Sequence, residues 1–426
     1  MSAHPREKSI HLTLIGDELL NGNIADLNGK WLGRYLNSKG HSLASIDIIP
    51  DRPSTIALCL EKYLVSPGPS IVILSGGLGP TKDDRTKNAV ADYFSKPLEE
   101  RADLIETLKT RYEKRQKSWN PATNHYHLFP KDMTPLENPS GLAPGIFYEQ
   151  TQKAVICAPG VPHEFESMLM EFFENQRTDL LSSEEAIYSL QIRTRFLPEE
   201  DIFGKIAPNL WNQLERWGKV SSLPRAFGVD IMVELKNQNH LFEDEIEEIK
   251  AYLKETPLNP YIWHIGPESL PEKIILEAKE KSIMIGLAES CTGGLAASFL
   301  TDVPGSSEVF LGSVVSYANE VKENILNVKT ETLKKHGAVS SEVAAEMAKG
   351  GVKALKCDIC LSFSGIAGPG GGSPKKPVGT VAIGIATSDE VHADIFYFSA
   401  KENRERLKRR FALRGLHQLL DQIRKY

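Results

Sequence analysis

The first eighty residues alternate short apolar runs with segments of helical periodicity. Apolar runs occupy residues 10–15, 43–49 and 70–74, and helical patterns end near residue 36 and span 55–64. Because strands that alternate with helices usually pair in parallel, this order predicts an α/β fold, a parallel sheet with helices on both faces. Ligands of such sheets bind at the carboxyl ends of the strands. We therefore expect an N-terminal site in the loops that follow these runs.

A glycine-rich loop follows the third apolar run. Gly76, Gly77 and Gly79 let a ligand approach the backbone, so we expect the N–H groups of this loop to converge on a phosphate. Thr81 is predicted to cap a helix that begins near residue 82. The loop lacks both the Gly-Lys-Ser/Thr ending of a Walker loop and the spacing of the dinucleotide fingerprint. It therefore predicts an anion cradle of another kind.

Carboxylates stand close to this loop in the sequence. Asp83 and Asp84 follow it directly, and Asp17 and Asp26 follow the first apolar run. Such oxygen ligands suit a hard divalent cation that bridges phosphates, so Asp17, Asp83 and Asp84 are candidate metal ligands. The alternative is that the glycines form only a tight turn and the aspartates occupy a first helical turn, where the helix dipole favours them.

A second strand, turn and helix pattern lies at residues 283–300. An apolar run ends at residue 288, and a helical segment begins at Gly294. A turn between them directs backbone N–H groups and the positive end of a helix dipole at one point, which suits a serine that attacks an acyl carbon. Ser290 is the candidate nucleophile, and the N–H groups of residues 291–293 are the candidate oxyanion donors.

The serine needs a base. Lys322 follows the apolar segment 314–317, and a lysine desolvated at a strand end can lose its proton near neutral pH. His336 is a weaker candidate, since we expect no carboxylate nearby to orient it. In the alternative interpretation the turn is only a helix cap, and Lys322 is a solvated residue paired with Glu320 or Glu323.

A further glycine-rich loop, residues 365–372, follows an apolar strand that ends at Ser364. Few side chains obstruct its N–H groups, so it can bend around a ligand, although a flexible hairpin has the same composition. Arg404 can bind a phosphate or carboxylate bidentately. The basic residues 408–410 are assigned to the solvated face of the last helix.

Composition excludes several classes of protein. The net charge of −6 provides no basic field for nucleic acid or anionic membranes, and no apolar run approaches the roughly twenty residues of a membrane span. The basic, aromatic helix near residues 101–119 is interrupted by glutamates, which favours a solvated face over nucleic-acid binding. No signal-peptide pattern follows residues 1–8, so we expect a cytoplasmic protein.

Five scattered cysteines do not suggest a disulfide framework. Cys357 and Cys360 have the spacing of a redox or zinc pair. No second ligand pair accompanies them, and an apolar run follows, so we expect buried strand cysteines.

The sequence pattern in the middle of the chain predicts an α+β module. Strand patterns occupy residues 189–196 and 229–235, with a helix at 201–217 between them and an acidic helix at 242–253 after them. The proline-rich stretch 257–271 is predicted to be a linker.

From about residue 272 to the C-terminus the sequence resembles the CinA-type C-terminal domain, whose stand-alone members are nicotinamide mononucleotide deamidases. The motifs that carry the resemblance are Ala-Glu-Ser-Cys-Thr-Gly-Gly at 288–294, Thr-Asp-Val-Pro-Gly-Ser-Ser at 301–307, His-Gly-Ala-Val-Ser at 336–340, Ser-Gly-Ile-Ala-Gly-Pro-Gly-Gly-Gly at 364–372 and Lys-Pro-Val-Gly-Thr at 376–380. The resemblance implies a metal-free amidohydrolase with Ser290, Lys322 and Tyr317 as catalytic residues. It also implies these substrate contacts: Cys291, Thr292, Gly293, Gly294, Ser364, Gly365, Gly368, Gly370, Gly371 and Arg404.

Residues 9 to about 175 resemble the CinA-type N-terminal domain, which shares its fold with molybdopterin-binding proteins. The motifs include Gly-Asp-Glu-Leu-Leu at 16–20, Gly-Gly-Leu-Gly-Pro-Thr at 76–81 and Pro-Gly-Val-Pro at 159–162. The resemblance implies an ADP-ribose pyrophosphatase that uses Mg, Mn or Co, with potassium as a further candidate. Its implied substrate residues are Asn28, Gly76, Gly77, Gly79 and Thr81. Leu27 stands where the family usually has threonine, and the segment 121–127 follows the family pattern loosely.

The middle module resembles in position the KH-like domain of full-length CinA proteins, without the Gly-x-x-Gly loop of RNA-binding members. The resemblance thus implies three domains, at 1–175, 176–265 and 266–426, and a homodimer that binds nicotinamide mononucleotide and ADP-ribose but no nucleic acid or membrane. The alternatives are a non-catalytic partner protein linked to competence or DNA damage, and a pterin-nucleotide enzyme.

Overall fold

The computed structural model describes residues 8–122, 124–181, 186–237 and 242–426. Parts of the expectations for residues 1–8 and 121–127 lie outside the described residues. The chain divides into two compact units, Met1–Ser189 with Glu234–Ile246 and Leu190–Val233 with Glu247–Tyr426. The three predicted domains and their boundaries therefore stay a prediction.

The N-terminal region is built on a six-stranded sheet. Its strands, with a separate two-stranded pair formed by β4 and β5, are β1 Ser9–Ile15, β2 Leu43–Ile49, β3 Ser70–Ser75, β4 Leu98–Glu100, β5 Leu128–Pro130, β6 Thr134–Leu136, β7 Gly145–Gln150 and β8 Lys153–Ala158. The order is β2-β1-β3-β8-β7-β6, and the first four strands are parallel. The predicted parallel sheet is thus confirmed, with antiparallel strands added at one edge.

Helices cover both faces of this sheet. They are α1 Asp17–Leu20, α2 Asn28–Ser38, α3 Pro53–Leu64, α4 Thr86–Tyr93, α5 Ala102–Lys114 and α6 Pro162–Glu171, followed by a π-helical turn at Phe172–Gln176 and a 3₁₀ turn at Thr178–Leu181. Alternate residues of β3 point to opposite faces: Val72 and Leu74 pack with α3, α4 and α5, whereas Ile71 and Ile73 pack with α2 and α6. A strand buried on both faces explains the continuous apolar run.

The middle region contains four strands in the order β10-β11-β9-β12. The elements are β9 Ala186–Thr194, α7 Glu199–Asp201, α8 Leu210–Leu214, β10 Gly218–Arg225, β11 Gly228–Asn237, α9 Glu243–Lys254 and β12 Ile262–Ile265, with a π-helical turn at Ile202–Ile206 and a 3₁₀ turn at Asn259–Tyr261. Two predictions are wrong here. The helix at 201–217 is interrupted before Pro208, whose ring cannot continue a helix. The supposed linker 257–271 contains β12, which pairs antiparallel with β9.

The C-terminal region is a five-stranded sheet in the order β14-β13-β15-β16-β17. Its elements are α10 Leu270–Lys281, β13 Ile285–Glu289, α11 Leu295–Thr301, a 3₁₀ turn at Ser306–Glu308, β14 Phe310–Val315, α12 Asn319–Leu326, α13 Thr330–His336, α14 Ser341–Leu355, β15 Ile359–Gly365, β16 Thr380–Ala386, β17 Val391–Tyr397 and α15 Arg404–Lys425. The strands β14, β13 and β15 are parallel, so their carboxyl ends lie at one edge.

Two faces of this sheet are covered. Residues of α10, α11 and α15 form one large apolar cluster with the sheet, and residues of α14 form another on the strands. Cys357 and Cys360 are buried free thiols, as the sequence predicts. Among the described residues, no helix has the length and apolarity needed to cross a membrane.

Candidate active sites

Ser290 and Lys322 meet at the carboxyl edge of the C-terminal sheet. Ser290 follows β13 directly, and Lys322 is the fourth residue of α12, so the prediction that it lies at a strand end is wrong. The Lys322 Nζ lies 3.1 Å from the Ser290 Oγ. It also donates to the carbonyl oxygens of Ser316, at 2.7 Å, and Tyr317, at 3.3 Å. The turn after β13 and the helix after the neighbouring parallel strand β14 thus assemble a serine–lysine pair.

Lys322 is suited to act as a base. Its side chain is almost completely buried, at 1 % exposure, and this burial lowers the pKa of the amine. No carboxylate within the described part of the chain lies within salt-bridge distance, so the predicted alternative pairing with Glu320 or Glu323 is absent there. A neutral amine has two hydrogens and one lone pair. With both hydrogens on the two carbonyls, the lone pair faces the serine hydroxyl.

A buried glutamate, which sequence reasoning missed, organises the turn after Ser290. The Glu289 carboxylate accepts hydrogen bonds from the backbone N–H groups of Gly294 at 2.9 Å, Ala296 at 3.2 Å and Ala297 at 2.9 Å, and from the Ser313 hydroxyl at 3.2 Å. These are the free donors at the start of α11. The helix end is therefore occupied by the protein's own carboxylate. The only sequence signal is an ionisable residue that closes an apolar strand.

The oxyanion donors are consequently fewer than expected. The N–H of Gly293 donates to the carbonyl of Ser290 at 3.1 Å, so it is wrong to count it as a free donor. The N–H groups of Cys291 and Thr292 donate to no backbone oxygen among the described residues, and both lie close to the Cys291 sulfur. These two groups remain as candidate oxyanion donors beside the serine.

Cys291 is a poor competing nucleophile. Its side chain is buried, and burial raises the pKa of its thiol to about 12. A Cβ placed on Gly365 would approach the Cys291 sulfur to 3.1 Å and the Thr380 carbonyl to 2.8 Å, which explains glycine at that position. The thiol is a packing group, and Ser290 remains the nucleophile candidate.

Tyr317 and Arg404 connect the pair to the glycine loop. Tyr317 contacts Lys322 through its backbone carbonyl, while its side chain is 64 % exposed. The Arg404 guanidinium donates to the Tyr317 hydroxyl at 3.1 Å and to the Gly368 carbonyl at 2.7 Å. The tyrosine ring thus lies at the mouth of the site, held against the loop by an arginine.

Residues 408–410 were predicted to form the solvated face of the last helix, and the positions of Lys408 and Arg410 differ from that prediction. A Cβ on Gly293, where φ is +61°, would lie 3.6 Å from the Lys408 ammonium, so Lys408 lies beside the Ser290 turn. Arg410 turns inward and pairs with Glu402. Arg409 is exposed and lies over the Phe299 ring. Lys408 is a candidate phosphate ligand that a helical-face argument could not identify.

Ser364 and His336, two further candidate site residues, each contact a neighbouring protein group. The Ser364 hydroxyl donates to the Ala338 carbonyl at 2.6 Å, so it fixes the neighbouring turn instead of facing a ligand freely. His336 does have a local carboxylate, contrary to prediction: its Nδ1 lies 3.0 Å from the Glu342 Oε1. Gly370 and Gly371 lie in the exposed tip of the glycine loop, with open space beside Gly370.

The N-terminal region has a cleft of about 640 Å³ at the carboxyl ends of β1, β3 and β8. The Asn28 amide lines it and donates to the Ser75 hydroxyl and to the Gly160 carbonyl, both at 2.9 Å. The Asn28 amide oxygen is buried without a hydrogen-bond partner among the described residues. Asn28 therefore joins two loops of the cleft and retains one free acceptor.

The glycine loop of this cleft satisfies much of its own hydrogen-bonding capacity. The Asp84 carboxylate accepts from the N–H groups of Gly79 and Thr81, both at 2.8 Å, and from the Thr81 hydroxyl. The prediction that Thr81 caps a helix near residue 82 is therefore wrong, and α4 begins at Thr86. Asp84 is a loop-organising residue, since both of its oxygens are engaged.

Gly76 and Gly77 are required by the backbone. Their φ angles are +113° and +66°, and added Cβ atoms would meet the Ile15 carbonyl and the Thr86 hydroxyl, each at 2.3 Å. The Gly76 N–H donates to the Ala158 carbonyl at 3.0 Å. The N–H groups of Gly77 and Leu78 have no acceptor in the described chain, so the predicted phosphate cradle is reduced to these two donors.

The acidic residues of the cleft differ from the predicted set. Asp17 does not line it, whereas six other acidic residues do: Glu18, Asp26, Asp51, Asp83, Asp84 and Glu164. Burial raises the pKa of Asp51, and the carboxylates of Glu18, Asp17 and Asp83 add to the rise. Asp51 follows a strand pattern with no motif, so the sequence offered no signal for it. Among the described residues, no three histidine, cysteine or acidic side chains are grouped to hold one metal ion.

This arrangement fits a metal ion only in part. The donor chemistry of Asp51 and Asp83 suits a hard cation, but the set Asp17, Asp83 and Asp84 is not assembled as three ligands. Mg²⁺ is commonly held by one or two carboxylates together with substrate phosphates. Among the described residues the cleft has no preformed metal cage, and its carboxylates line a cavity of about 640 Å³.

The N-terminal and C-terminal regions each match a known protein family. Residues 267–423 match the family described as the CinA C-terminal domain, and residues 12–178 match the one described as "Probable molybdopterin binding domain". A competence/damage inducible protein of Agrobacterium tumefaciens, of known structure, is 34% identical, covers 36% of this chain and 96% of its own, and has a TM-score of 0.35.

Two full-length relatives extend these matches across the chain. A CinA-like protein of Thermotoga neapolitana is 34% identical over 417 residues, which is 97% of each chain. A CinA-like protein of Trichodesmium erythraeum is 36% identical over 407 residues, or 93% of this chain and 92% of the relative. The protein therefore belongs to the CinA family.

Proposed function

We propose that the C-terminal site is an amidohydrolase that converts nicotinamide mononucleotide and water to nicotinic acid mononucleotide and ammonia. The observation that carries the proposal is the buried Lys322 amine 3.1 Å from the Ser290 hydroxyl, with no carboxylate to keep the amine charged among the described residues. Serine–lysine pairs are a known variant of the catalytic triad.

The first half of the reaction forms an ester. The Ser290 oxygen attacks the carboxamide carbon while its proton passes to the Lys322 amine. The N–H groups of Cys291 and Thr292 stabilise the resulting oxyanion. When the tetrahedral intermediate collapses, the C–N bond breaks, and Lys322 returns the proton to the departing ammonia.

The second half consumes water. Lys322, neutral again, takes a proton from a water molecule as its oxygen attacks the ester carbon. Collapse of the second intermediate breaks the bond to Ser290, which recovers its proton from Lys322. The product acid leaves, and no metal or redox partner enters the balance.

The surroundings of the pair match a phosphorylated substrate. Lys408 lies beside the Ser290 turn, and Arg404, at the glycine loop, still has donors beyond the two it uses. Arginine and lysine in these places suit the 5′-phosphate. The carboxamide would then lie at Ser290, with the ring between Tyr317 and the loop.

Substitution of the nucleophile tests this proposal. Ser290→Ala should lower ammonia release from nicotinamide mononucleotide by at least about 1,000-fold, because no other group replaces the attacking oxygen. Ser298→Ala, an exposed serine of α11, is the matched control and should retain full activity. Substantial ammonia release by Ser290→Ala would refute the nucleophile assignment.

We also propose that the N-terminal cleft hydrolyses ADP-ribose to AMP and ribose 5-phosphate. The supporting observation is a cleft of nucleotide size at the edge of a parallel sheet, with free N–H groups at Gly77 and Leu78 and carboxylates at Asp51 and Asp83. A divalent cation, Mg, Mn or Co, would neutralise the pyrophosphate and acidify a water there, with potassium as an accessory ion.

The two activities can be separated in one protein. Ser290→Ala should form AMP from ADP-ribose at the wild-type rate, and a chelator should stop AMP formation without affecting ammonia release by the wild type. Unchanged AMP formation with chelator would exclude the metal requirement. A preparation that releases neither product would favour the non-catalytic partner role, and a copurified pterin would favour the pterin-nucleotide enzyme.

A further inference from the structure

A second ligand-sized pocket lies in the C-terminal unit and shares no residue with the Ser290 site. It has a volume of about 670 Å³, within the range of small-molecule sites. Its walls come from the segment after β9, the turn between β10 and β11, the strand β17 and the helix α15. We call it the Arg414 pocket and define it by Phe196, Phe227, Phe396, Phe398, Arg410 and Arg414.

Arg414 is held in one plane by two aromatic rings. Its guanidinium carbon lies 4.1 Å from the centre of the Phe196 ring and 4.2 Å from the centre of the Phe396 ring. Both flat faces of the guanidinium are therefore covered, and only its edge, which carries the N–H donors, is left for a ligand. An edge presented in this way suits bidentate binding of an anion.

No protein group satisfies this edge. Within the described residues, Arg414 has no hydrogen bond and no carboxylate within 4.0 Å. The other arginines of the pocket differ: Arg410 pairs with Glu402, and Arg225 pairs with Asp230. Arg414 is thus the one arginine of the pocket lining without a close ion pair in this part of the chain, and the Asp394 and Asp421 carboxylates act on it only from a longer distance.

Phe196 adds an independent sign of a binding site. Its φ is +63°, in the left-handed region that a bulky side chain rarely adopts, and its side chain is nevertheless 41 % exposed. Such a conformation is unfavourable and persists only where the surroundings fix it. Here the Phe196 N–H donates to the Phe227 carbonyl, and its ring packs edge-on against His417.

His417 forms part of an apolar floor beneath these rings. It is buried against Phe196, Phe227 and Trp263, with ring centres 5.5 to 6.3 Å away. Burial lowers the pKa of His417 to about 3, so the imidazole is neutral at physiological pH. These ring contacts hold Phe196 and Phe227 in place at the wall of the pocket.

We propose that the Arg414 pocket binds a mononucleotide, with the phosphate on the edge of Arg414 and the base against the aromatic wall. The lining carries three arginines and the carboxylate of Glu199. Since Glu402 pairs with Arg410 and Asp230 pairs with Arg225, Arg414 is the cation left for a ligand. The 65 % exposed Tyr397 supplies a ring for stacking a planar base, and the Phe227 and Phe398 rings, which pack against the Arg410 guanidinium, complete the aromatic wall. The pocket shares no residue with the Ser290 site, so its ligand is an effector, independent of the proposed chemistry.

Photolabelling with 8-azido-AMP, followed by peptide mapping of the full-length protein, tests this assignment. A label in the N-terminal cleft is then distinguished from one in the pocket by its peptide. We expect label in peptides that contain residues 224–229 or 396–398, protected by excess AMP. Arg414→Gln should lower that labelling about tenfold or more, since it removes a charge-assisted bidentate contact.

Two controls keep the test decisive. Arg406→Gln removes an exposed arginine of the same helix and should leave labelling unchanged. Unchanged ammonia release by Arg414→Gln shows that this variant is folded. If the Arg414→Gln protein is not folded, Tyr397→Leu at the pocket mouth replaces it and should lower labelling several-fold. Absence of label in these peptides, or labelling of both pocket variants at the wild-type level, overturns the proposal. The proposal is also overturned if a second copy of the chain covers the pocket, so that the photoprobe labels it only after the two copies dissociate.

Discussion

The Ser290 turn and the Gly76 loop have similar backbones but differ in the position of a carboxylate. Each follows a parallel strand, contains positive-φ glycines and has a carboxylate that accepts backbone N–H groups. In the Ser290 turn the carboxylate is Glu289, the last residue of the strand, and it leaves the serine and lysine free to pair. In the Gly76 loop the carboxylate is Asp84, within the loop, and it occupies donors that a phosphate would use. The position of the carboxylate, more than the glycine content, decides what such a loop can bind.

Removal of the base should have the largest effect and would break the comparison most directly. Lys322→Arg should lower ammonia release about 100- to 10,000-fold, because guanidinium stays protonated and cannot accept the serine proton. Lys329→Arg, an exposed lysine close by, is the control. If Lys322→Arg retains activity, the base lies elsewhere, and His336 with its Glu342 partner becomes the next candidate.

Asp84 and Asp83 separate the loop role from the metal role. Asp84→Asn should lower AMP formation about 10- to 100-fold, and excess metal should not rescue it. The asparagine amide has only one oxygen, so it cannot accept hydrogen bonds from the N–H groups of both Gly79 and Thr81, which hold the loop. Asp83→Asn should lose less and should recover as the metal concentration rises. Rescue of Asp84→Asn by metal would restore its assignment as a direct ligand. Ammonia release is the internal control in both variants.

The pH dependence of the two activities sharpens the comparison. The neutral form of Lys322 is the active base, and burial lowers its pKa, so ammonia release should rise about tenfold per pH unit and level off below the ordinary lysine pKa. Rates measured from pH 6 to 10 would show this shape. AMP formation, which does not use Lys322, should not follow it. A flat profile for ammonia release would mean that the lysine is not titrating.

Glu289→Gln should give the smallest change in rate, with a change in stability. The substitution replaces a charge-assisted acceptor of three N–H groups by a neutral amide, at a cost of about 1.5–3 kcal/mol. Thermal unfolding should shift down by roughly 5 °C, and ammonia release should fall several-fold. Glu308→Gln, on an exposed 3₁₀ turn, is the control. An unchanged melting temperature would show that the N–H groups find other acceptors.

Sequence patterns identified the parts that depend on one strand or on strand order. The pairing of Ser290 with Lys322 was predictable because each follows a parallel strand, although the pattern did not show that Lys322 lies in a helix. Side chains that reach across a loop were not predictable: nothing in the spacing of Asp84 shows that it binds Gly79 and Thr81. Asp51 depends on neighbours that are distant in sequence. The interrupted helix near Pro208 is a different case, because the proline itself was visible.

The negative charge of Glu289 bears on which ring the Ser290 site accepts. Glu289 lies against the start of α11, whereas the cationic groups Lys408 and Arg404 lie beside the Ser290 turn and at the glycine loop. Nicotinamide mononucleotide is a dipolar molecule, with a quaternary nitrogen in its ring and a phosphate at the other end. The arrangement follows that polarity. We expect the dihydropyridine form of the nucleotide, which has the same shape but no ring charge, to be a poor substrate.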